Sequence, residues 1–258
     1  MYKKLTPLKH TDHAALRLLP ITDYSFARGE LVAPIVIDEI ASVAREYPIV
    51  FPSGGELPVA LMGVEKNSNA YVGMDGKWLA TYIPAHIRHY PLAITLIPPQ
   101  AEEAPSNGQA AAPRFVVLID IESVTVSSTE GAPIFDQEGQ VVELAQQKLR
   151  LMEQMQARAG VTAGLVRAID DAGLFVERPI RIKRGGEPNR QVTGVRVIDE
   201  AALNKLDDAA FNKLRAAGAL PLVYASLLSW ANFRQGPIGR SHPLPAAPTP
   251  TDDDMIRI

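Results

Sequence analysis

The sequence predicts an α+β fold: an antiparallel, strand-rich N-terminal half and a mainly helical C-terminal half containing one hairpin. Three observations carry this reading. Short β-branched and aromatic runs bounded by Pro and Gly recur as far as about Val126. After Asp136 the hydrophobic period changes, and Val142, Ala145, Leu149, Met152 and Met155 fall on one helical face. Later, VERPIRIK and QVTGVRVI alternate apolar and basic residues around the turn-rich GGEPN.

The elements follow in order. YPIVFP and LPVALMGV read as two strands. AYVGM and KWLATYI flank Asp75-Gly76, a two-residue hairpin signal because both turn positions tolerate positive φ. In that hairpin Trp78, Ala80 and Tyr82 share one face, and Lys77, Leu79 and Thr81 the other. YPLAITLI and RFVVLIDI are further strands, and ESVTV either continues the second or pairs back onto it. Between them, Pro98 to Pro113 has little to bury and reads as a mobile loop.

In the C-terminal half, Asp136 is placed to cap the first helix, and a second runs from Thr162 as N-cap to Gly173 just past its end. Asp207 caps a later helix that Gly218 ends, and Pro221 opens another at its first turn. One domain over residues 1–235 is expected, with a disordered Pro-rich tail from Gly236.

Composition narrows the function. The chain has 258 residues, 47% of them apolar, and a net charge of −3, so no global basic field draws it to nucleic acid or anionic lipid. It has no Cys, which excludes disulfides, thiol catalysis and Cys-ligated metals. No signal-peptide pattern is visible, and the most apolar stretch, Ala219 to Ala231, is too short to span a membrane. A soluble cytoplasmic protein with no cofactor is expected.

The chemistry-bearing residues concentrate in DGKWLATYIPAHIRHYP, Asp75 to Pro91. This stretch, with YPIVFP upstream and VIDEAALNKLDDAAFNKLRAAGALPLVYASLLSWANF downstream, resembles the SapC-like family, named for proteins encoded beside bacterial surface-layer genes. The resemblance runs from about Leu31 to Phe233. It implies a non-enzymatic accessory or binding protein linked to surface-layer or nutrient-uptake systems, and it implies no particular reaction. A peptide-transporter permease shares the name but spans the membrane several times, which this chain does not match.

Within the stretch, Trp78, Tyr82, Arg88 and Tyr90 are the candidate ligand residues, because an Arg beside aromatic rings can stack on them or clamp an anion. They would take a small anionic or saccharide ligand; an enzyme working near Trp78 and Arg88 is the alternative. His86 and His89 lie three apart but lack a third metal ligand, and the family pattern has Arg at position 89, so no metal site is expected and both are read as surface residues. The Arg-rich hairpin supplies Arg181, Lys183, Arg184, Arg190 and Arg196 as a candidate surface for a protein partner; without interleaved aromatics it does not suit single-stranded nucleic acid. Asp120 and Glu122, two apart, read as a strand-end charge pair rather than a catalytic one.

Overall fold

The computed structural model describes residues 1–97, 114–182 and 190–241. β1 (Leu5–Pro7), α1 (His10–His13) and β2 (Arg17–Leu18) come first, then β3 (Val32–Pro34), α2 (Ile40–Ala44), β4 (Ile49–Pro52) and β5 (Val59–Leu61). α3 (Ala85–Arg88), β6 (Leu92–Ile97), β7 (Arg114–Asp120), β8 (Val126–Ser127) and β9 (Ala132–Pro133) lead to the long α4 (Glu143–Asp171). β10 (Phe175–Glu177), β11 (Ile180–Ile182), β12 (Arg190–Val192) and β13 (Val195–Ile198) follow, and α5 (Glu200–Leu203), α6 (Asp208–Ala217), α7 (Leu220–Ser229), α8 (Ala231–Gln235) and α9 (Pro237–Ser241) complete the order.

The fold is α+β, and every described strand pair is antiparallel. The main sheet runs β10-β13-β4-β5-β3; a second runs β1-β7-β6; a third joins β8-β2-β9; β11 and β12 form a separate ribbon. YPIVFP and LPVALMGV thus become neighbours in the main sheet, and YPLAITLI pairs with RFVVLIDI from Leu92↔Ile119 to Ile97↔Arg114. ESVTV does neither of the things expected of it, since β8 pairs with β2 near the N-terminus.

Two apolar cores result. The larger joins the main sheet (Ile49, Phe51, Ala60, Val195) to Leu222 and Val223 of α7 and to Leu165, Val166 and Ile169 of α4. The smaller gathers Leu18, Leu92, Ile119, Ile134 and Phe135 under Ala145 and Met152 at the other end of α4. Burial of such side chains, at ~25 cal/mol per Å² of apolar surface, is the main force holding each layer down.

Several expectations need correction. The hairpin at Asp75-Gly76 is a turn without a strand ladder. Gly76 has φ +80°, and a Cβ there would collide with the Asp23 carboxylate, so glycine is required. Around it the chain makes only the isolated bridge Val72↔Trp78. The two helices expected after Asp136 are one helix of 29 residues. Val142, not Asp136, stands at its N-cap; Asp136 instead accepts the N–H groups of Glu138 and Gln140 in the preceding turn. Thr162 is not a cap of α4: it is buried mid-helix, donating to Arg158 O at 2.8 Å and accepting the N–H of Ile37 at 3.0 Å. Gly173 does follow the helix in a left-handed conformation, φ +67°.

At the C-terminal side the capping signals hold. Asp207 accepts the Ala210 N–H at 2.8 Å and Gly218 closes α6 at φ +74°. The ordered chain, however, continues past Gly236: α9 packs back and Ile238 is buried in the larger core. The expected loop at 98–113 and most of the expected tail, 242–258, lie outside the described residues.

Candidate functional site

The stretch Asp75 to Pro91 starts as a core element. Trp78, Ala80 and Tyr82 are half-buried against the larger core while Lys77, Leu79 and Thr81 are exposed, so the period-two alternation is real although no strand pairs with it. A carboxylate stands in for the missing strand. Glu46 accepts the Thr81 and Tyr82 N–H groups, both at 2.7 Å, which satisfies donors a ladder would otherwise take. Trp78 donates its indole N–H to the Tyr47 hydroxyl at 2.8 Å, and that hydroxyl donates to Tyr82 O. The Tyr71 hydroxyl donates to Glu46 O at 2.6 Å, with its ring stacked on Tyr47. Burial pushes the Tyr47 and Tyr71 hydroxyl pKa values well above the ordinary tyrosine range, so both remain protonated donors.

Pro84 starts α3 and turns the chain toward α4. Here Glu39, buried, accepts the Ala85 N–H at 2.8 Å and the Tyr82 hydroxyl at 2.9 Å through Oε1, and the Val36 N–H through Oε2. Arg88 donates to the Tyr82 hydroxyl at 3.2 Å, with its guanidinium carbon 5.4 Å from that ring's centroid. Burial, with Glu39 next to it, raises the Tyr82 pKa to about 12. From α4, Lys148 donates to Arg88 O at 2.7 Å and to Tyr90 O at 2.8 Å. Burial and the nearby Arg88 charge lower the Lys148 pKa to about 8, so it is still mainly a cation at neutral pH.

Arg88, Lys148 and Arg150 line one open depression of about 420 Å³ with Gln147, Gln154, Leu144 and Leu151. No carboxylate of a described residue lines it. Arg150 already pairs with Glu143 at 2.6 Å, on an exposed part of the helix surface.

The four residues singled out in the sequence therefore separate. Tyr82 and Arg88 touch. Trp78 is spent on Tyr47, between the rings of Tyr24 and Tyr71. Tyr90 is 1% exposed, stacked on Phe26 at 4.0 Å, with its hydroxyl donating to Asp120 at 3.3 Å. Asp120 is itself fully buried and accepts the N–H groups of Lys3 and Lys4, which ties the N-terminal segment down. Glu46, Glu39 and Lys148 were missed by the sequence reading, because nothing local marks residues that act on a segment tens of positions away.

The histidines also differ from expectation. His89 is not a surface residue: it is 7% exposed, and its ring meets His86 edge to face at 5.4 Å. His89 Nδ1 lies 2.8 Å from Leu92 O, and the Tyr2 hydroxyl donates to the same carbonyl at 2.9 Å. Burial, reinforced by the neighbouring His86, lowers the His89 pKa to about 4, and burial lowers that of His86 as well. Among the described residues no group of three or more His, Asp or Glu could hold a metal ion.

Of the basic hairpin, Lys183 and Arg184 lie outside the described residues. Arg181 and Arg190 occupy the β11–β12 ribbon, in register with Gln191 and Ile182 respectively. Arg196 turns inward from β13, pairing with Asp170 at 3.1 Å and lying over the Phe175 ring at 4.5 Å.

Compared with known proteins, the chain matches a family model described as SapC over residues 8–235. The match begins about twenty residues before Leu31, where the resemblance read from the sequence starts, taking in α1 to the 3₁₀ turn Ser25–Ala27. No curated protein and no solved structure matches the chain. Among the described residues, no single helix is long and apolar enough to cross a membrane.

Proposed function

The chain belongs to the SapC family, and from that premise we propose that it is a non-enzymatic accessory protein that binds a small acidic saccharide or similar anion. Work in the cytoplasm beside surface-layer or nutrient-uptake systems is part of the same proposal. The observation that carries it is the depression lined, among the described residues, by Arg88, Lys148 and Arg150 with two glutamine amides and no acid. Cations and amides recognise a carboxylate with neighbouring hydroxyls. Lys148, with its lowered pKa, is the lining's candidate for acid–base work, but it already donates to Arg88 O and Tyr90 O, which favours a fixed cation. The carboxylate next to it, Glu143, is taken up by Arg150 and Gln147, while Glu39 and Glu46 accept backbone N–H groups and hold the chain in place.

Calorimetric titration with glucuronate against glucose tests the proposal. Glucuronate binds saturably and glucose does not. Salt weakens the binding, and Arg88→Ala with Arg150→Ala abolishes it. Equal binding of the two sugars, or no binding of either, overturns it. The enzyme alternative has one observation in its favour, the Glu39–Tyr82–Arg88 chain, in which the Tyr82 hydroxyl is the group with a proton to exchange. Turnover of a glucuronide that disappears in Tyr82→Phe would establish it instead.

A further inference from the structure

Apart from the basic depression, two chambers adjoin beneath the N-terminal half of α4. The first, about 270 Å³, is lined by Tyr2, His86 and His89 and otherwise by apolar side chains and Gln156. The second, about 450 Å³, lies between Leu149 on one side and Ile94, Val117 and Phe115 on the other. Ile94, Met152 and Gln156 line both, so the chambers share a wall. One of those residues is a methionine, whose unbranched thioether adapts its shape to what it contacts. Together the chambers reach the size range of small-molecule sites, roughly 300–1,000 Å³.

The polar end of the first chamber has a definite hydrogen-bond character. A carbonyl only accepts, so the 2.8 Å contact to Leu92 O places the His89 proton on Nδ1. Burial keeps this imidazole neutral at neutral pH, so Nε2 is left with a lone pair and no partner among the described residues. His86 makes no hydrogen bond to a described residue either, and as a neutral imidazole it presents one donor and one acceptor. The Tyr2 hydroxyl is committed to Leu92 O. Uncommitted polar groups at the end of an apolar cavity are what fixes the orientation of a small ligand.

We propose that the two chambers form one binding site for an elongated, uncharged amphiphile bearing a hydroxyl. The hydroxyl donates to His89 Nε2 and accepts from the His86 N–H. The apolar chain passes Met152 into the second chamber. An anionic head gains no ion pair from the imidazoles and is disfavoured by Glu153, which lines the second chamber; Glu30, near His86, is already paired with the N-terminal ammonium. This site shares no lining residue with the basic depression, so it stands or falls separately from the function proposed above.

The test is calorimetric titration of the full chain with decanol, its methyl ether and decanoate. Decanol binds saturably. The ether, which accepts but cannot donate, binds at least about fivefold more weakly, as expected for one lost hydrogen bond. Decanoate binds more weakly than decanol. His89→Phe brings decanol down to the level of the ether; because replacing a buried ring can disturb α3, the half-buried His86→Phe is measured beside it and shows the same loss. Ala157→Trp, at an exposed α4 position that lines the second chamber, abolishes binding of both the alcohol and the ether while glucuronate binding is unchanged. No saturable binding of decanol, equal affinity for alcohol and ether, tighter binding of decanoate, or an unaltered Ala157→Trp variant would each overturn the proposal.

Discussion

The two ends of Asp75 to Pro91 are built from the same residue types and do different work. From Trp78 to Tyr82 each polar group that reaches inward meets a partner from elsewhere in the chain: the indole meets Tyr47, and two backbone N–H groups meet Glu46. From His86 to Arg88 the polar groups are left partly open, an imidazole edge toward one cavity and a guanidinium toward another. The difference shows that aromatic and basic residues do not mark a site by themselves. What decides is whether a distant carboxylate or carbonyl has already claimed them, because a buried polar group is costly only while unpaired.

Five measurements test that contrast. Trp78→Ala removes a ring packed against the larger core and leaves Tyr47 without its donor, so chemical denaturation should show a loss of about 3–5 kcal/mol. A loss under ~1 kcal/mol would mean that the first half of the stretch is as open as the second.

His89 supplies the next effect. Its pKa is near 4 in the folded chain against an ordinary 6.5, so the unfolded state binds the proton more readily. Its contribution is present above pH 6.5 and lost as pH falls toward 4. The contribution is on the order of 3 kcal/mol across that window. Denaturation curves at stepped pH should show a shallower acid slope in His89→Gln than in the parent chain; parallel slopes would return His89 to the surface.

Glu46→Ala should cost about 2 kcal/mol, the value of charge-assisted bonds to two backbone donors, one of them exposed. Hydrogen exchange should then quicken at Thr81 and Tyr82 before other positions in the larger core. Arg88→Ala should change stability least, within about 0.5 kcal/mol, because the side chain is exposed. A thermal melt checks this, and a loss as large as that of Trp78→Ala would make Arg88 structural. In the parent chain, anion affinity at the depression should fall as pH rises through about 8, where Lys148 gives up its charge.

Legibility in the sequence followed range. Strands whose partners lie close by, such as YPIVFP with LPVALMGV, and caps that act within a turn, such as Asp207, were readable because their signals and their partners are neighbours. Thr162 is the instructive failure. It was read as the cap of a second helix, whereas its hydroxyl accepts the N–H at the start of the 3₁₀ turn Ile37–Glu39, 125 residues away. With that hydroxyl also donating to Arg158 O, α4 passes through Gly160 and Thr162 without breaking. In the candidate site, residue type pointed to an Arg beside aromatic rings, and Arg88 does lie against Tyr82. Glu39, Glu46 and Lys148 were not legible, because they enter from other elements and carry no local pattern.

The continuity of α4 has a mechanical consequence. At 1.5 Å per residue its 29 residues span roughly 44 Å. Ala145 and Met152 sit in one core, while Leu165, Val166 and Ile169 sit in the other. A rod anchored at both ends transmits load. Neither core can melt without leaving half of α4 as an unsupported helix, and half of α4 is about the length at which isolated helices become marginal in water. The two cores therefore share one fate on heating, as a single calorimetric transition.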